Sequence, residues 1–164
     1  MSLRSQSNPA RTQGNMQYHS RTIDLETEES PAFIKITSSI EEIVRESGIQ
    51  EGQVFVFSKH TTAGITIQED EPLLLEDFES FLEELAPQDN GYRHNDFEIR
   101  TVNMQEEESE NGHSHCRHLT IGPSETLPVN DGNLVTGKWQ DIFLLELDGP
   151  REREIFVQTS GTSS

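Results

Sequence analysis

The 164-residue chain has one cysteine, one tryptophan and few cations. A lone thiol, Cys116, cannot close an intrachain disulfide, which fits a reducing cytosol. No stretch approaches the roughly 20 apolar residues that a membrane helix needs, and the N-terminus lacks a signal-peptide h-region. The expected location is therefore cytoplasmic. Lys and Arg total 12 against 30 Asp and Glu, a formal net charge of -18. Such a surface repels nucleic-acid phosphates and anionic lipids, which excludes both as expected partners. Hydrophobic residues make up only 31%, low for a globular domain, and part of that deficit sits in the polar segment 1–15. Arg outnumbers Lys and Glu is abundant, a composition that fits a salt-adapted protein. The metalloprotease, zinc-ribbon, P-loop, dinucleotide and nucleophile-elbow motifs are all missing.

What is present divides into a disordered arm, expected over 1–15, and a single domain over 16–161. "MQYHSRTIDLET" alternates and carries aromatic and β-branched residues, so it reads as a strand. "TSSIEEIVRESG" reads as a helix, capped by Thr37 or Ser38, with Glu41 and Glu42 in its first turn and stopped by Gly48. "QVFVFSK" reads as a strand buried on both faces, and "GITIQ" as a second strand after a bend. Pro72 opens a second helix where its missing N–H costs nothing. Leu74, Phe78, Phe81, Leu82 and Leu85 form its apolar stripe, and Pro87 ends it. "QDNGYRHNDFE" reads as a loop, "EIRTVNM" as a short strand and "QEEESENG" as a charged, mobile loop. "HSHCRHLTIG" reads as one or two helical turns. "SETLPV", "NLVTGKWQDIFLLEL" and "REIFVQTS" close the chain as strands. The predicted class is α+β: a mostly antiparallel, sandwich- or barrel-like sheet core with two main helices.

Polar residues with chemical potential sit at element ends. His60 follows the "VFVF" strand, His94 lies in "YRHND", and His113, His115 and His118 crowd together. Glu69, Asp70 and Glu71 precede the second helix, and Asp77 lies at the edge of its stripe. Gln140 and Glu146 share strand parity, hence one face. Each has two open readings. His60 is a satisfied strand-end histidine or a functional one, and the acids before Pro72 cap a helix or line a site. In a strand, the His-x-His pair would converge on a metal. In a helix it would diverge and leave His115 nearer His118.

"HTTAGITIQEDEP", "YRHND" and "GHSHCRHLTIGPSETLPVNDGNLVTGKWQDIFLLELDGP", in that order, resemble the motifs of the YjbQ family of secondary thiamine-phosphate synthase-like proteins. The resemblance spans about 16–161 and is most specific at "GKWQDIFLLE". It implies a compact α+β homotrimer with weak thiamine-phosphate synthase activity. That reaction joins a pyrimidine diphosphate to a thiazole phosphate and expels pyrophosphate, so the partner is a small phosphorylated molecule. Catalytic roles then fall on His60, Thr61, Glu69, Asp77, His94, His115 and Gln140, and substrate contacts on Thr62, Ser124 and Trp139. His60, His94 and His115 are the expected ligands of a divalent metal, Zn or Mg, while Cys116 is a poor ligand and His118 matches no family position. Gly137 and Glu146 also match. Lys138 stands where the family usually has Thr, and "EDEP" is one residue shorter than in some members, so Asp70 and Glu71 are not carried over. A polyanionic substrate poses an electrostatic problem, because only Lys59, Arg93, Arg117 and Lys138 lie near the motifs. The alternative reading is a non-enzymatic homotrimer that binds a metal or small molecule.

Residues 1–15 lack apolar periodicity and hold no motif. Their deletion should leave the melting temperature within a few degrees of the full chain; a larger drop would mean that they are packed.

Overall fold

The computed structural model describes residues 15–104 and 107–163. The expected arm therefore lies outside the described residues except for Asn15, and the expected loop at 105–112 lies partly outside them. Two antiparallel sheets form the framework. The larger has the order β1-β8-β3-β5-β6, with β1 at Gln17–Glu26, β3 at Glu51–Ser58, β5 at Ser124–Asn130, β6 at Asn133–Leu134 and β8 at Glu152–Thr162. The smaller has the order β2-β7-β4, with β2 at Ala32–Lys35, β4 at Ala63–Gln68 and β7 at Asp141–Glu146. Among the described residues three helices complete the α+β fold: α1 at Thr37–Ser47, α2 at Pro72–Leu85 and α3 at Gly112–Ile121.

Strand alternation decides what each face does. On β3, Val54 and Val56 point into the core and are fully buried, while Phe55 and Phe57 stack on the other face at 5.9 Å and stay half-buried. The expectation of burial on both faces is thus corrected to one. The inward set of β8 is Ile155 and Val157, that of β5 is Leu127 and Val129, and β7 adds Ile142 and Leu144. Helix α1 seals this core with Ile40, Ile43 and Val44. Leu145 of β7 and Leu147 just after it pack the other way, where they meet Leu82 of α2.

Local chemistry explains most boundaries. Gly48 ends α1 at φ 68°, donating its N–H to Arg45 O. Asp131 and Gly132, at φ 50° and 73°, make the two-residue turn between β5 and β6 that favours such residues. Glu71 caps α2 by accepting from Leu73 N at 3.1 Å and Leu74 N at 2.8 Å. Other expectations fail for identifiable reasons. Residue Ile36, not Thr37 or Ser38, occupies the α1 N-cap, and Glu41 and Glu42 fall beyond the first turn. Thr37 Oγ1 instead donates to Asp141 at 2.8 Å and accepts from Ile142 N at 2.9 Å, tying α1 to β7. Segment 98–104 forms turns rather than a strand. There Arg100 donates to Asn103 O at 2.7 Å and to Glu108 at 3.0 Å, a local closure that takes the place of sheet pairing. The "HSHCRHLTIG" segment makes a third full helix, not one or two turns. The expected strand from 133 to 147 breaks into β6, a turn and β7. Among the described residues no helix is long and apolar enough to cross a membrane.

At one end of the core, Glu146 of β7 and Arg153 of β8 meet across the two sheets. Their contacts are 2.6 Å (Nε to Oε2) and 2.5 Å (terminal nitrogen to Oε1), and both side chains are buried. Thr27 Oγ1 donates to Glu146 at 2.9 Å, and the N–H groups of Leu147 and Asp148 donate at 2.9 and 2.7 Å. Burial pushes the Glu146 carboxyl up, but the Arg153 hydrogen bonds and these donors outweigh it and hold it below the usual glutamate range. A carboxyl lowered in the folded state contributes stability above its unfolded pKa, and that contribution is lost as pH falls through the folded value. Breaking this pair from one side strands a buried charge. Glu146→Ala should cost about 3–5 kcal/mol in urea unfolding, whereas the double change Glu146→Leu with Arg153→Met should recover much of that loss. An unchanged single variant would show that the pair is not held as described.

Candidate functional site

The chain crosses between the sheets directly after β3. Ser58 Oγ donates to Ala63 O at 2.6 Å and closes a tight loop carrying Lys59, His60, Thr61 and Thr62. This loop, the 93–95 turn, α3 and the segment between β7 and β8 border one cleft of about 790 Å³. His60, Thr61, Thr62, His94 and His115 all line it. Three histidines separated in sequence thus share one concavity.

Each histidine is held differently. His60 Nε2 accepts the Glu154 N–H at 2.8 Å, which places its proton on Nδ1. His94 sits on a 3-10 turn, Arg93–Asn95, and its ring lies 4.7 Å from that of His115, edge on. The His94 Nε2 atom is buried and, among the described residues, has no hydrogen-bond partner. The turn is anchored to α3 because Asn95 Oδ1 accepts from Gly112 N at 2.9 Å. Only glycine fits there, since a Cβ on Gly112 would come within 2.5 Å of the Tyr92 side chain. Helix geometry makes His113 and His115 diverge. His113 is buried against Ser114 and its ring lies 6.4 Å from that of Tyr92, while His115 turns to His94.

Four cations also line the cleft: Lys59, Arg100, Arg151 and Arg153. Each is positioned by an acid, Lys59 by Glu154 at 2.8 Å, Arg100 by Glu108 at 3.0 Å, Arg151 by Asp148 at 2.9 Å and Arg153 by Glu146. Arg153 also donates to Thr62 Oγ1 at 3.2 Å, so the buried ion pair supports the histidine loop from beneath. Asp148 accepts from Asn111 Nδ2 at 2.8 Å and joins α3 to the segment after β7. Of the cations expected near the motifs, only Lys59 lines this cleft; Arg117 is buried against Glu83 and Ala86 O, and Lys138 lies over Trp139. Arg100, Arg151 and Arg153 supply what the sequence reading missed. For Arg153 a signal existed, since it shares strand parity with the inward-facing Ile155 and Val157.

The remaining expected site residues lie elsewhere. Glu69 is half-buried just beyond β4 and does not line the cleft. Asp77 borders a separate apolar groove beside α2. Ser124 opens β5, opposite Phe57. Trp139 is 61% exposed on the turn before β7. Gln140 lies outside the strand and its Oε1 accepts from Gly137 N at 2.7 Å, so it does not share a face with Glu146. The readings left open for the acids before Pro72 resolve structurally for two of them, as Glu71 caps α2 and Asp70 pairs with Lys35 at 3.1 Å.

Among the described residues no group of three or more His, Cys, Asp or Glu side chains is arranged to hold a metal ion. One cause is visible at His60, whose Nε2 is already committed to a backbone N–H. The side chains within one chain therefore do not fit the expected three-histidine Zn or Mg centre.

An antiparallel two-sheet fold with a histidine- and arginine-lined cleft at one end defines the class. The chain belongs to the YjbQ/UPF0047 family: residues 21–162 match the model of "UPF0047 protein YjbQ-like". It is 39% identical over 146 residues to a UPF0047 protein of Methanothermobacter thermautotrophicus, covering 89% of this chain and 94% of that one. It is 30% identical over 142 residues to the Bacillus subtilis UPF0047 protein YugU, covering 86% and 98%. Among solved structures, a YbjQ-like protein of unknown function from Sulfolobus solfataricus superposes with a TM-score of 0.82 at 34% identity, covering 90% of this chain and all of that one. A hypothetical protein from Aeropyrum pernix gives 0.77 at 31% identity, covering 88% and 99%.

Burial lowers the pKa of His60, His113, His115 and His118, with nearby cations adding to the effect for the first three. Unfolded histidine titrates near about pH 6.5. Below that value the unfolded chain takes up protons that the folded chain resists, so stability falls as pH drops through the lowered folded values. Unfolding free energy should be flat above about pH 7 and decline from about pH 6.5 downward, a fall that sets in at higher pH than the one from Glu146. His113→Gln should flatten the decline. A stability that rises on acidification over this range would refute the burial of these rings.

Proposed function

We propose that the cleft binds a small phosphorylated molecule and that the chain is a homotrimeric transferase of the thiamine-phosphate synthase type, with this condensation a weak or secondary activity. The observation that carries the reading is the concentration of four of the chain's 12 Lys and Arg, with three histidines, on one concave face of a protein of net charge -18. Polyanion binding needs local donors to offset the overall field. Arg151 spends Nε and one terminal nitrogen on Asp148 and Ser109, which leaves donors over on a guanidinium that has five N–H groups. His60, with its proton on Nδ1, and the exposed hydroxyl of Thr61 add neutral donors. Pyrophosphate departure develops negative charge, which prepositioned donors of this kind stabilise. No step is assigned to a metal; elemental analysis of the purified protein is the direct check on Zn and Mg. The homotrimer is supported by apolar side chains left exposed on one chain, Phe81 at 59% and Leu85 at 44%.

A second reading, a binding trimer without turnover, is favoured by the engagement of His60 Nε2 with a backbone N–H, which removes that nitrogen as a base.

Calorimetry with inorganic pyrophosphate, together with a pyrophosphate-release assay on a pyrimidine diphosphate plus a thiazole phosphate, separates the two. Arg151→Ala should weaken pyrophosphate binding about tenfold or more, the loss expected for a charge-assisted hydrogen bond. His115→Ala should lower product release more than binding. Binding without release would select the second reading, and no binding to either phosphate compound would overturn both.

A further inference from the structure

The apolar stripe of α2 is only half used within one chain. Leu82 is buried, yet Phe81 and Leu85 remain exposed. Together with Phe33, Phe78 and Ile121 they line an open groove of about 690 Å³, with Asp77 among its lining residues. The helix that forms this wall also carries Glu76, Glu79, Glu83 and Glu84. A helix with this periodicity is built to be covered on that face.

The same chain carries a protruding counterpart. Between β6 and β7 the turn holds Trp139 at 61% exposure and Val135 at 50%. The turn is braced, because Gly137 N donates to Gln140 Oε1 at 2.7 Å and Gln140 N donates to Gly137 O at 3.0 Å. Lys138 Nζ lies 4.2 Å from the indole centroid, and among the described residues no acid pairs with it. An exposed aromatic on a rigid turn is an anchor of the kind that fills pockets at interfaces.

We propose that the Trp139 turn of one copy seats in the α2 groove of a second copy, with Lys138 facing the acidic rim at Asp77. Apolar surface then meets apolar surface, and a lone cation meets an acidic helix. The contact joins two different patches, so it is heterologous and closes into a ring when the rotation allows. This rests on the trimer reading above, since a threefold ring requires unlike faces at each interface.

The chain contains a single tryptophan, so its fluorescence reports on this residue alone. The full chain should be oligomeric by light scattering, with the short-wavelength emission of a buried indole. Phe81→Glu should dissociate it and shift the emission to longer wavelength, and Trp139→Ala should dissociate it as well. An equimolar mixture of the two variants should regain dimers, because one supplies an intact groove and the other an intact turn. Circular dichroism checks that each variant is folded. An oligomer whose tryptophan emits as a solvent-exposed indole overturns the inference and leaves the trimer reading standing, and that measurement needs no variant. Two folded variants that both stay oligomeric do the same. A monomeric wild-type chain overturns both.

Discussion

Glu146 and Arg153 sit where the two sheets come together, and the geometry of the cleft depends on their contact. One residue ends β7 of the smaller sheet, and the other lies near the start of β8 in the larger one. A buried carboxylate and guanidinium cost several kcal/mol each to desolvate, about as much as their mutual attraction returns. The pair is tolerable because its polar valences are filled by Thr27, Thr62 and the N–H groups of Leu147 and Asp148. The pair thus adds little net stability over an apolar packing, but it fixes where the sheets meet. It does so directly below the loop that carries His60.

That placement links core to site. The inward residues of β8 run Arg153, Ile155, Val157, so one strand supplies the floor of the cleft and then the hydrophobic core. Thr62 accepts from Arg153, and its carbonyl accepts from Leu147 N at 3.1 Å, so the histidine loop is pinned to both sheets. Lys59 and His60 are each held by Glu154, the next residue along β8. Side chains on such a loop keep their positions because rigid strands set them. The opposite wall is made differently. There α3 presents His115, and the 93–95 turn presents His94 through the Asn95–Gly112 contact.

Much of this framework was legible in the sequence. The alternation of β1, the stop at Gly48, the opening of α2 at Pro72 and the end of β4 near Gln68 follow from local patterns that tertiary contacts leave intact. The misreadings have two causes, long-range partners and local turns. Thr37 has a cap residue's chemistry, but Asp141 and the Ile142 N–H claim its hydroxyl. Gln140 and Glu146 have matching parity only if the strand is continuous, and the Gly137–Gln140 turn interrupts it. Of the site, the histidines and threonines were visible as residue types at element ends. Arg100 and Arg151 were not, because pairing across loops, rather than spacing along the chain, brings them to the cleft, whereas Arg153 was marked by its parity with Ile155 and Val157.

The charge distribution has the same logic. A chain with 30 acids and 12 Lys and Arg would hold few cations near any anion site if they were scattered. In the cleft each cation is instead braced by one acid: Lys59 by Glu154, Arg100 by Glu108, Arg151 by Asp148 and Arg153 by Glu146. Bracing sacrifices part of the positive field, yet it removes the entropy that a long side chain would lose on binding. Within such a lining, net charge is close to balanced while the rest of the surface is acidic, so an anion meets less repulsion there than elsewhere. Burial keeps His60 and His115 neutral to lower pH than free histidine, so they remain hydrogen-bonding groups that add no positive charge to the lining. The cleft thus differs from the rest of the acidic surface through placement rather than composition, which is why a count of residues along the chain understates it.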